Sequence, residues 1–310
     1  LPRRQNHFGE YIMRNWLLKI IAVLVAIFIH NIGSGVEAPN KKIKVFVSIL
    51  PQAYFVKRVG NPYVDVNVLV GTGQSPELYE PTPRQMVRLG HSQVYFRTGV
   101  PFEEALISKI SSTFKNLLIV DTRKGIKIRY FEKPALSQAP DPHIWLDPKL
   151  VKIQAHTICE ALVQIDPAHA SFFEKNLLAF QNDLDKVDKK IAEMLAPLKG
   201  RRFYVFHPAF GYFADSYGLK QVAVETEGKE PSAKQIANLI EQARRDDVKV
   251  IFVQPQFAKR DAETIARAIG GVVAPLDPLP WDYLKNLEEM AVTIKEALSG
   301  QETPAQKPLP

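Results

Sequence analysis

The chain lacks three features that would place it in a specialised class: cysteine pairs, blocks of like charge and long apolar runs. Its single cysteine, Cys159, excludes an internal disulfide and a thiolate metal cluster, and its apolar neighbours predict a small buried side chain. There is no run of five like charges, and the excess of 40 basic over 33 acidic residues is mild. We therefore expect no nucleic-acid-binding surface.

The composition that remains is that of a soluble globular protein. Hydrophobic residues make up 46% of the 310 positions, charged residues 24% and aromatic residues 10%. These values exclude a chain disordered throughout, a collagen-like repeat and a polytopic membrane protein. The length is enough for two domains, each with a core of its own.

Residues 1–38 have the pattern of an upstream extension followed by a secretory signal peptide. Arg14 and Lys19 precede an uninterrupted apolar run at 20–29, and small residues follow between 33 and 38. The run has about half of the roughly 20 residues that a spanning helix requires, so an uncleaved anchor is the less favoured alternative. No cysteine stands just after the run, where a lipid anchor would be attached, so a soluble periplasmic protein is expected rather than a lipoprotein.

Short β-branched runs alternate with helical patterns, and this alternation occurs twice. The predicted strands are 43–50, 64–70, 93–97 and 117–120, then 203–206, 221–225, 248–253 and 271–275. The predicted helices are 53–59, 83–89, 102–112 and 148–165, then 209–217, 233–245, 260–269 and 283–298. Such alternation predicts parallel sheets covered by helices.

The predicted fold class is α/β, with two βα sandwich domains at 43–165 and 201–298 joined by one long rigid helix at 166–198. Asp166 is the expected N-cap of that helix. Its apolar residues recur at steps of three and four: Phe173, Leu177, Phe180, Leu184, Val187, Ile191 and Met194. We expect a helix of roughly 45 Å that packs along both domains. The proline-rich tail, 299–310, is expected to be disordered.

Polar residues stand just beyond several predicted strands, where open α/β sheets bind their ligands. His207 and Asp277 each follow a strand of the second domain. In the first domain, Glu77 lies in the loop after the second strand and His143 just before the last helix. A pair from each domain would converge as a four-ligand site for a divalent transition metal ion. For His207 and Asp277 the strand-end position is the only support, so a structural role stays open.

Three other histidines fit a structural role better. His91, His156 and His169 lie in or beside amphipathic helical patterns. His156 has Glu160 at helical spacing, but two such groups on one helix more often form a surface pair than a metal site. We also expect Asp147 to act only as a helix cap.

At four places the chain resembles the solute-binding subunits of zinc and manganese ABC importers. The segments are 76–83 (PELYEPTP), 143–148 (HIWLDP), 207–219 (HPAFGYFADSYGL) and 230–236 (EPSAKQI). The likeness extends over residues 43–298. In that family two α/β domains, joined by one long helix, hold one metal ion between them. The resemblance implies that His143, His207 and Asp277 are ligands. The family usually has His where this chain has Glu77.

The departure at Glu77 affects the expected metal. A site of two imidazoles and two carboxylates favours manganese or ferrous iron more than one with three imidazoles does. His207 stands where the family's zinc binders have His and its manganese binders commonly have Glu. We favour Zn²⁺ over Mn²⁺ or Fe²⁺ because zinc binds nitrogen ligands more tightly. Among the four residues we expect Glu77 to be the weakest ligand.

The resemblance implies a periplasmic binding protein that delivers its metal ion to a membrane permease driven by an ATPase, and not an enzyme. We expect a monomer. An exported zinc-dependent hydrolase is the alternative, because His and carboxylate ligands also build catalytic zinc sites that keep one position open. If Glu77 does not bind the metal, it becomes a conceivable general base for such an enzyme.

Overall fold

The structure is a computed structural model that describes residues 42–131, 139–225, 232–257 and 259–299. The predicted leader, 1–38, lies outside the described residues, and so do residues 300–310 of the predicted tail. The first two residues of the motif at 230–236 also lie outside them. Among the helices that these ranges contain, none is both long and apolar enough to cross a bilayer.

The N-terminal lobe is built on a parallel sheet of four strands in the order β2-β1-β3-β4. These strands are β1 (Ile43–Val47), β2 (Val64–Val68), β3 (Val94–Arg97) and β4 (Leu118–Asp121). The helices of this lobe are α1 (Leu50–Gly60), α2 (Pro83–Gly90), α3 (Phe102–Thr113) and α4 (Pro148–Ile165).

The C-terminal lobe repeats this arrangement with the order β6-β5-β7-β8, again fully parallel. Its strands are β5 (Arg202–Val205), β6 (Lys220–Ala223), β7 (Val250–Val253) and β8 (Val272–Pro275). Its helices are α6 (Gly211–Tyr217), α7 (Ala233–Arg245), α8 (Arg260–Ala268) and α9 (Tyr283–Leu298). The predicted fold class is confirmed: two parallel-sheet α/β lobes, with every predicted strand present.

Local signals set several helix boundaries as expected. Asp147 caps α4 by accepting a hydrogen bond from the backbone of Lys149. Ser232 and Gln235 form a reciprocal capping box at the start of α7. Asp166 stands at the predicted position just before Pro167, but its carboxylate bonds the ring of His169 at 2.6 Å and makes no capping bond to the backbone. A short 3₁₀ turn, Pro167–His169, comes first instead.

The linking helix is α5 (Ala170–Leu195), which at 1.5 Å per residue is roughly 39 Å long. Its predicted apolar stripe is buried from Phe173 to Ile191, although Leu195 takes the last buried position in place of Met194. The stripe packs against α1 and α4 on one side and α9 on the other. One continuous hydrophobic core therefore includes residues of both sheets. We propose residues 43–165 and 201–298 as the two domains that share this core, and residues 166–198 as the link between them.

Candidate metal site

The structure brings Glu77, His143 and His207 together at one point between the lobes. One ligand atom from each lies within 4.8 Å of the other two. Oε1 of Glu77 is 3.2 Å from Nε2 of His207 and 3.8 Å from Nε2 of His143. Two zinc bonds of about 2.0–2.1 Å at a tetrahedral angle place their ligand atoms about 3.4 Å apart. The observed separations lie on either side of that value, so the three atoms could share one ion.

Different elements deliver these side chains. His207 follows β5 after a single residue, while Glu77 lies in the long loop between β2 and α2. His143 precedes a 3₁₀ turn, Ile144–Leu146, that leads into α4. Because parallel strands end at the same edge of a sheet, the loops after them meet in the cleft. The strand-end argument selected His207, which lies in the group, and Asp277, which does not.

Each histidine has a carboxylate on the ring nitrogen that faces away from Glu77. Nδ1 of His143 lies 2.7 Å from Asp141, and Nδ1 of His207 lies 3.2 Å from Glu225. Both carboxylates are buried. An acceptor on Nδ1 holds the proton there and leaves the Nε2 lone pair free for a metal. This arrangement turns Nε2 of both imidazoles toward Glu77.

Nε2 of His207 is itself buried, and it forms no hydrogen bond of acceptable geometry within the described part of the chain. A buried polar atom without a hydrogen bond is costly unless something else binds it. The ring is held in place by stacking on Phe257, with centroids 4.7 Å apart. The ring of His143 packs beside Trp145 at 5.1 Å. These apolar neighbours keep both rings in one orientation.

The charges of the site are strongly coupled. Burial alone would raise the pKa of Glu77, but the two imidazoles hold it well below its usual range. Burial would lower the pKa of His207, but Glu225 and Glu77 together raise it to about 9. Asp141 and Glu77 likewise outweigh burial and raise the pKa of His143. Without a metal ion, the site holds protons that a cation must displace.

Among the residues that the structure describes, Asp277 is not part of this three-residue group. Its Oδ1 accepts hydrogen bonds from Nε2 of Gln256 and the backbone of Leu279, both at 3.0 Å. A cavity of about 180 Å³ separates the loop that carries Asp277 from the glycine-containing segment 71–73 that leads toward Glu77. The structure therefore groups three of the four sequence-predicted residues and leaves Asp277 in a different loop.

Sequence reasoning missed two residues of the site, Asp141 and Glu225. Asp141 lies two residues before His143 and also accepts a hydrogen bond from its backbone at 3.0 Å. Glu225 was placed inside a predicted strand at 221–225, but β6 ends at Ala223. With that boundary, the rule that selected His207 would also have selected Glu225.

The histidines assigned structural roles do lie away from the group. His156 is exposed on α4 with Glu160 at 3.7 Å, as predicted for a surface pair. His169 stacks on Tyr63 with ring centroids 3.8 Å apart. Cys159 is buried and carries no disulfide in the described structure, also as expected.

A family profile decides what kind of protein has this fold and this site. The profile described as zinc-uptake complex component A, periplasmic (ZnuA), matches residues 45–297. The chain belongs to the ZnuA family. Membership confirms the resemblance drawn from the four sequence segments and places the chain among the binding components of ABC importers.

Individual ZnuA-family relatives agree with this assignment. The crystal structure of ZnuA superimposes with a TM-score of 0.79, at 38% identity, over 83% of this chain and all of that one. The high-affinity zinc uptake system protein ZnuA of Bacillus subtilis is 28% identical, over 78% of this chain and 80% of its own length. The manganese ABC transporter substrate-binding lipoprotein PsaA of Streptococcus pneumoniae is 25% identical, over 81% and 84%.

Proposed function

We propose that this chain binds a divalent transition metal ion at Glu77, His143 and His207, with zinc preferred to manganese. The observation that carries the proposal is the convergence of two Nε2 atoms and one carboxylate oxygen within 4.8 Å of one another, with both imidazoles buried. Two nitrogen ligands favour zinc, which lies above manganese in intrinsic affinity at mixed nitrogen and oxygen sites. The relatives named for zinc uptake support this order, and the one named for manganese supports the alternative.

Delivery to a membrane permease follows from the family. Members are components of metal-uptake complexes, so the bound ion is cargo and no bond is broken in it. The proposed cycle takes place in the periplasm, with export directed by the signal predicted in residues 1–38, and the chain acts as a monomer. The ion is then transferred through the permease of an ABC importer.

Asp277 remains a proposed fourth ligand. Asp277 is not part of the three-residue group and its Oδ1 already accepts two hydrogen bonds, so we expect it to be a weaker ligand than Glu77, which reverses the order expected from sequence. Glu77 is positioned by Ser75, whose hydroxyl donates to Oε2 at 2.5 Å and leaves Oε1 directed at the two histidines. The cavity between the two loops gives them room to move. We propose that metal release involves shifts of these loops more than a wide movement of whole lobes.

Competitive titration of the metal-free protein tests the proposed function. We expect one zinc ion per chain, bound much more tightly than manganese, when both compete with a chromophoric chelator. Elemental analysis of the purified protein provides an independent count. Tight manganese binding with weak zinc binding would overturn the metal preference, and failure to bind either would reject the site.

One observation favours a second candidate, a zinc hydrolase. Three protein ligands with an open fourth position are typical of catalytic zinc sites. Family membership supports transport instead, and both buried carboxylates near the histidines, Asp141 and Glu225, are bonded to their rings. Zinc-loaded protein should leave ester and peptide substrates intact. Hydrolysis that is lost on chelation and restored by zinc would favour the enzyme.

A further inference from the structure

Arg129 bridges the two lobes beside the candidate site. It lies in the loop between β4 and His143, in the N-terminal lobe. Its Nη1 donates to Oδ2 of Asp141 at 3.3 Å, within the same lobe, while its Nε donates to Oδ2 of Asp215 on α6 at 2.9 Å. Asp141 is fully buried and Asp215 is mostly exposed. One guanidinium therefore joins a buried carboxylate of one lobe to a surface carboxylate of the other.

The opposite lobe is shaped to accept this guanidinium. A Cβ atom on Gly211, the first residue of α6, would lie only 2.5 Å from Nη1 of Arg129. No side chain can occupy that position without displacing the arginine. The absence of a side chain at Gly211 is thus what lets the guanidinium lie against the start of α6.

Two further residues of the same face of α6 contact the segment that carries His143. The hydroxyl of Tyr212 accepts from the backbone of Arg129 at 2.7 Å and donates to the carbonyl of Asp141 at 3.2 Å. Ser216 donates to Oδ2 of Asp147 at 2.6 Å. Because residues three and four apart share one helix face, Tyr212, Asp215 and Ser216 hold this loop together.

These contacts connect to both histidine ligands. Asp141 accepts from Arg129 on one oxygen and from Nδ1 of His143 on the other. On the other lobe, α6 begins four residues after His207. A shift of α6 away from Arg129 would therefore move His207 and break the bonds that Tyr212 and Asp215 make to the loop that carries His143.

We infer that Arg129 is a positioning residue and an interlobe latch that slows the release of the metal ion. The inference rests on the proposed function, since it presumes an ion held by His143 and His207. Arginine suits the role because its planar fork can bond two carboxylates at once, which a lysine ammonium does less well. The latch acts on dissociation, whereas the positive charge itself mainly affects the association rate.

Release rates test the latch. Zinc-loaded protein is mixed with excess EDTA at 25 °C, and metal transfer is followed by stopped flow. We expect Arg129→Ala to release zinc about tenfold faster, the lower end of the range for partners of metal ligands. Asp215→Asn breaks only the interlobe contact and should accelerate release by about two- to fivefold, as for an exposed ion pair. Arg129→Lys should not restore the wild-type rate.

Arg202→Ala is the matched control. Arg202 pairs with Asp246 at 2.8 Å entirely within the C-terminal lobe, so its loss removes a comparable ion pair away from the site. The Arg202→Ala variant should release zinc at the wild-type rate. Unfolding curves confirm that each variant is folded at 25 °C, and Asp215→Asn, at an exposed position, keeps the test valid if Arg129→Ala does not fold.

The absorption spectrum of the cobalt-substituted protein tests positioning separately. We expect Arg129→Ala to change it, since the carboxylate that orients His143 loses its guanidinium partner, and Asp215→Asn to leave it unchanged. The latch would be overturned if both variants released zinc at the wild-type rate. It would also be overturned if Arg129→Ala released zinc faster than wild type and Asp215→Asn did not. An unchanged cobalt spectrum in Arg129→Ala would overturn the positioning role. If wild type bound no zinc, the proposed function would fail and the latch with it.

Discussion

The two lobes have the same strand order, yet their equivalent strands end in different chemistry. In the N-terminal lobe, β1 is followed by Ser48, whose hydroxyl bonds Tyr95 at 2.7 Å and the carboxylate of Glu103. All three are buried. In the C-terminal lobe, the corresponding β5 leads to His207, whose Nε2 faces Glu77 across the cleft. The residues just beyond equivalent strands therefore serve the core in one lobe and the candidate site in the other.

The difference lies in where the polar partners of each residue are. Glu103 accepts two further bonds, from the backbones of Thr98 and Gly99, so the network around Ser48 is closed within its lobe. The carboxylate beside His207 occupies only Nδ1 and leaves Nε2 for a ligand. A strand end thus becomes a binding position only when one polar atom is left for an outside group.

The sharpest test of this comparison is His207→Ala. Loss of a direct ligand should weaken zinc binding by more than about 100-fold, above the range for removal of a ligand's partner. Competitive titration measures the change. His156→Ala, at an exposed histidine of α4, is the control and should bind zinc as wild type does. Equal affinities for the two variants would remove His207 from the site.

Glu225→Gln examines the partner of His207 with little change of shape. We expect zinc affinity near pH 9 to fall by about 10- to 100-fold, because the imidazole becomes a weaker base and less firmly oriented. The pKa of His207, which Glu225 helps to raise, should also fall. The pH dependence of binding between pH 7 and 9 should then flatten, and an unaltered profile would contradict the assigned role.

The pH dependence of wild type follows from the same groups. Against the effect of burial, Glu225 and Glu77 raise the pKa of His207 to about 9. Since only the neutral ring binds metal, protons compete below that pH and zinc affinity should increase as the pH rises to about 9. We expect about a tenfold change per pH unit for each proton displaced. If the zinc affinity did not change between pH 7 and 9, His207 would be excluded as a titrating ligand.

Asp277→Asn should have a smaller effect than any change at the three grouped residues. Its Oδ1 already serves Gln256 and Leu279, and asparagine can keep an acceptor there. We expect zinc affinity to change by less than about tenfold, below the range for a ligand's bonded partner. Glu77→Gln, titrated in parallel, should lose more. A larger loss of affinity for Asp277→Asn than for Glu77→Gln would restore the expectation from sequence that Glu77 is the weakest ligand.

Ser48→Ala should not alter zinc affinity at all. It removes a hydroxyl that donates to the buried Glu103, so the free energy of unfolding should fall by about 1–3 kcal/mol. Urea unfolding of the metal-free protein measures this loss, with titration alongside. A loss of zinc affinity without a loss of stability would show that Ser48 serves the metal site, and would contradict its assignment to the core.

The sequence was most informative where local physics decides. Apolar periodicity and capping residues predicted α4 and α7 at their observed bounds, because Asp147 and Ser232 satisfy free backbone groups of the helices that follow them. It was least informative at Asp166, which has a cap residue's identity but bonds His169 instead. A neighbour three residues away competed successfully for that carboxylate.

The sequence by itself determined the doubly repeated α/β fold, the linking helix and the connecting segments in which Glu77, His143 and His207 stand. All of these depend on patterns within a few turns of chain. Only the tertiary structure decided which carboxylate belongs to which histidine, that Asp277 lies apart from the other three, and that Arg129 meets Asp215 across the lobes. Such partners are up to 86 positions apart in the chain, and folding alone brings their atoms within bonding distance.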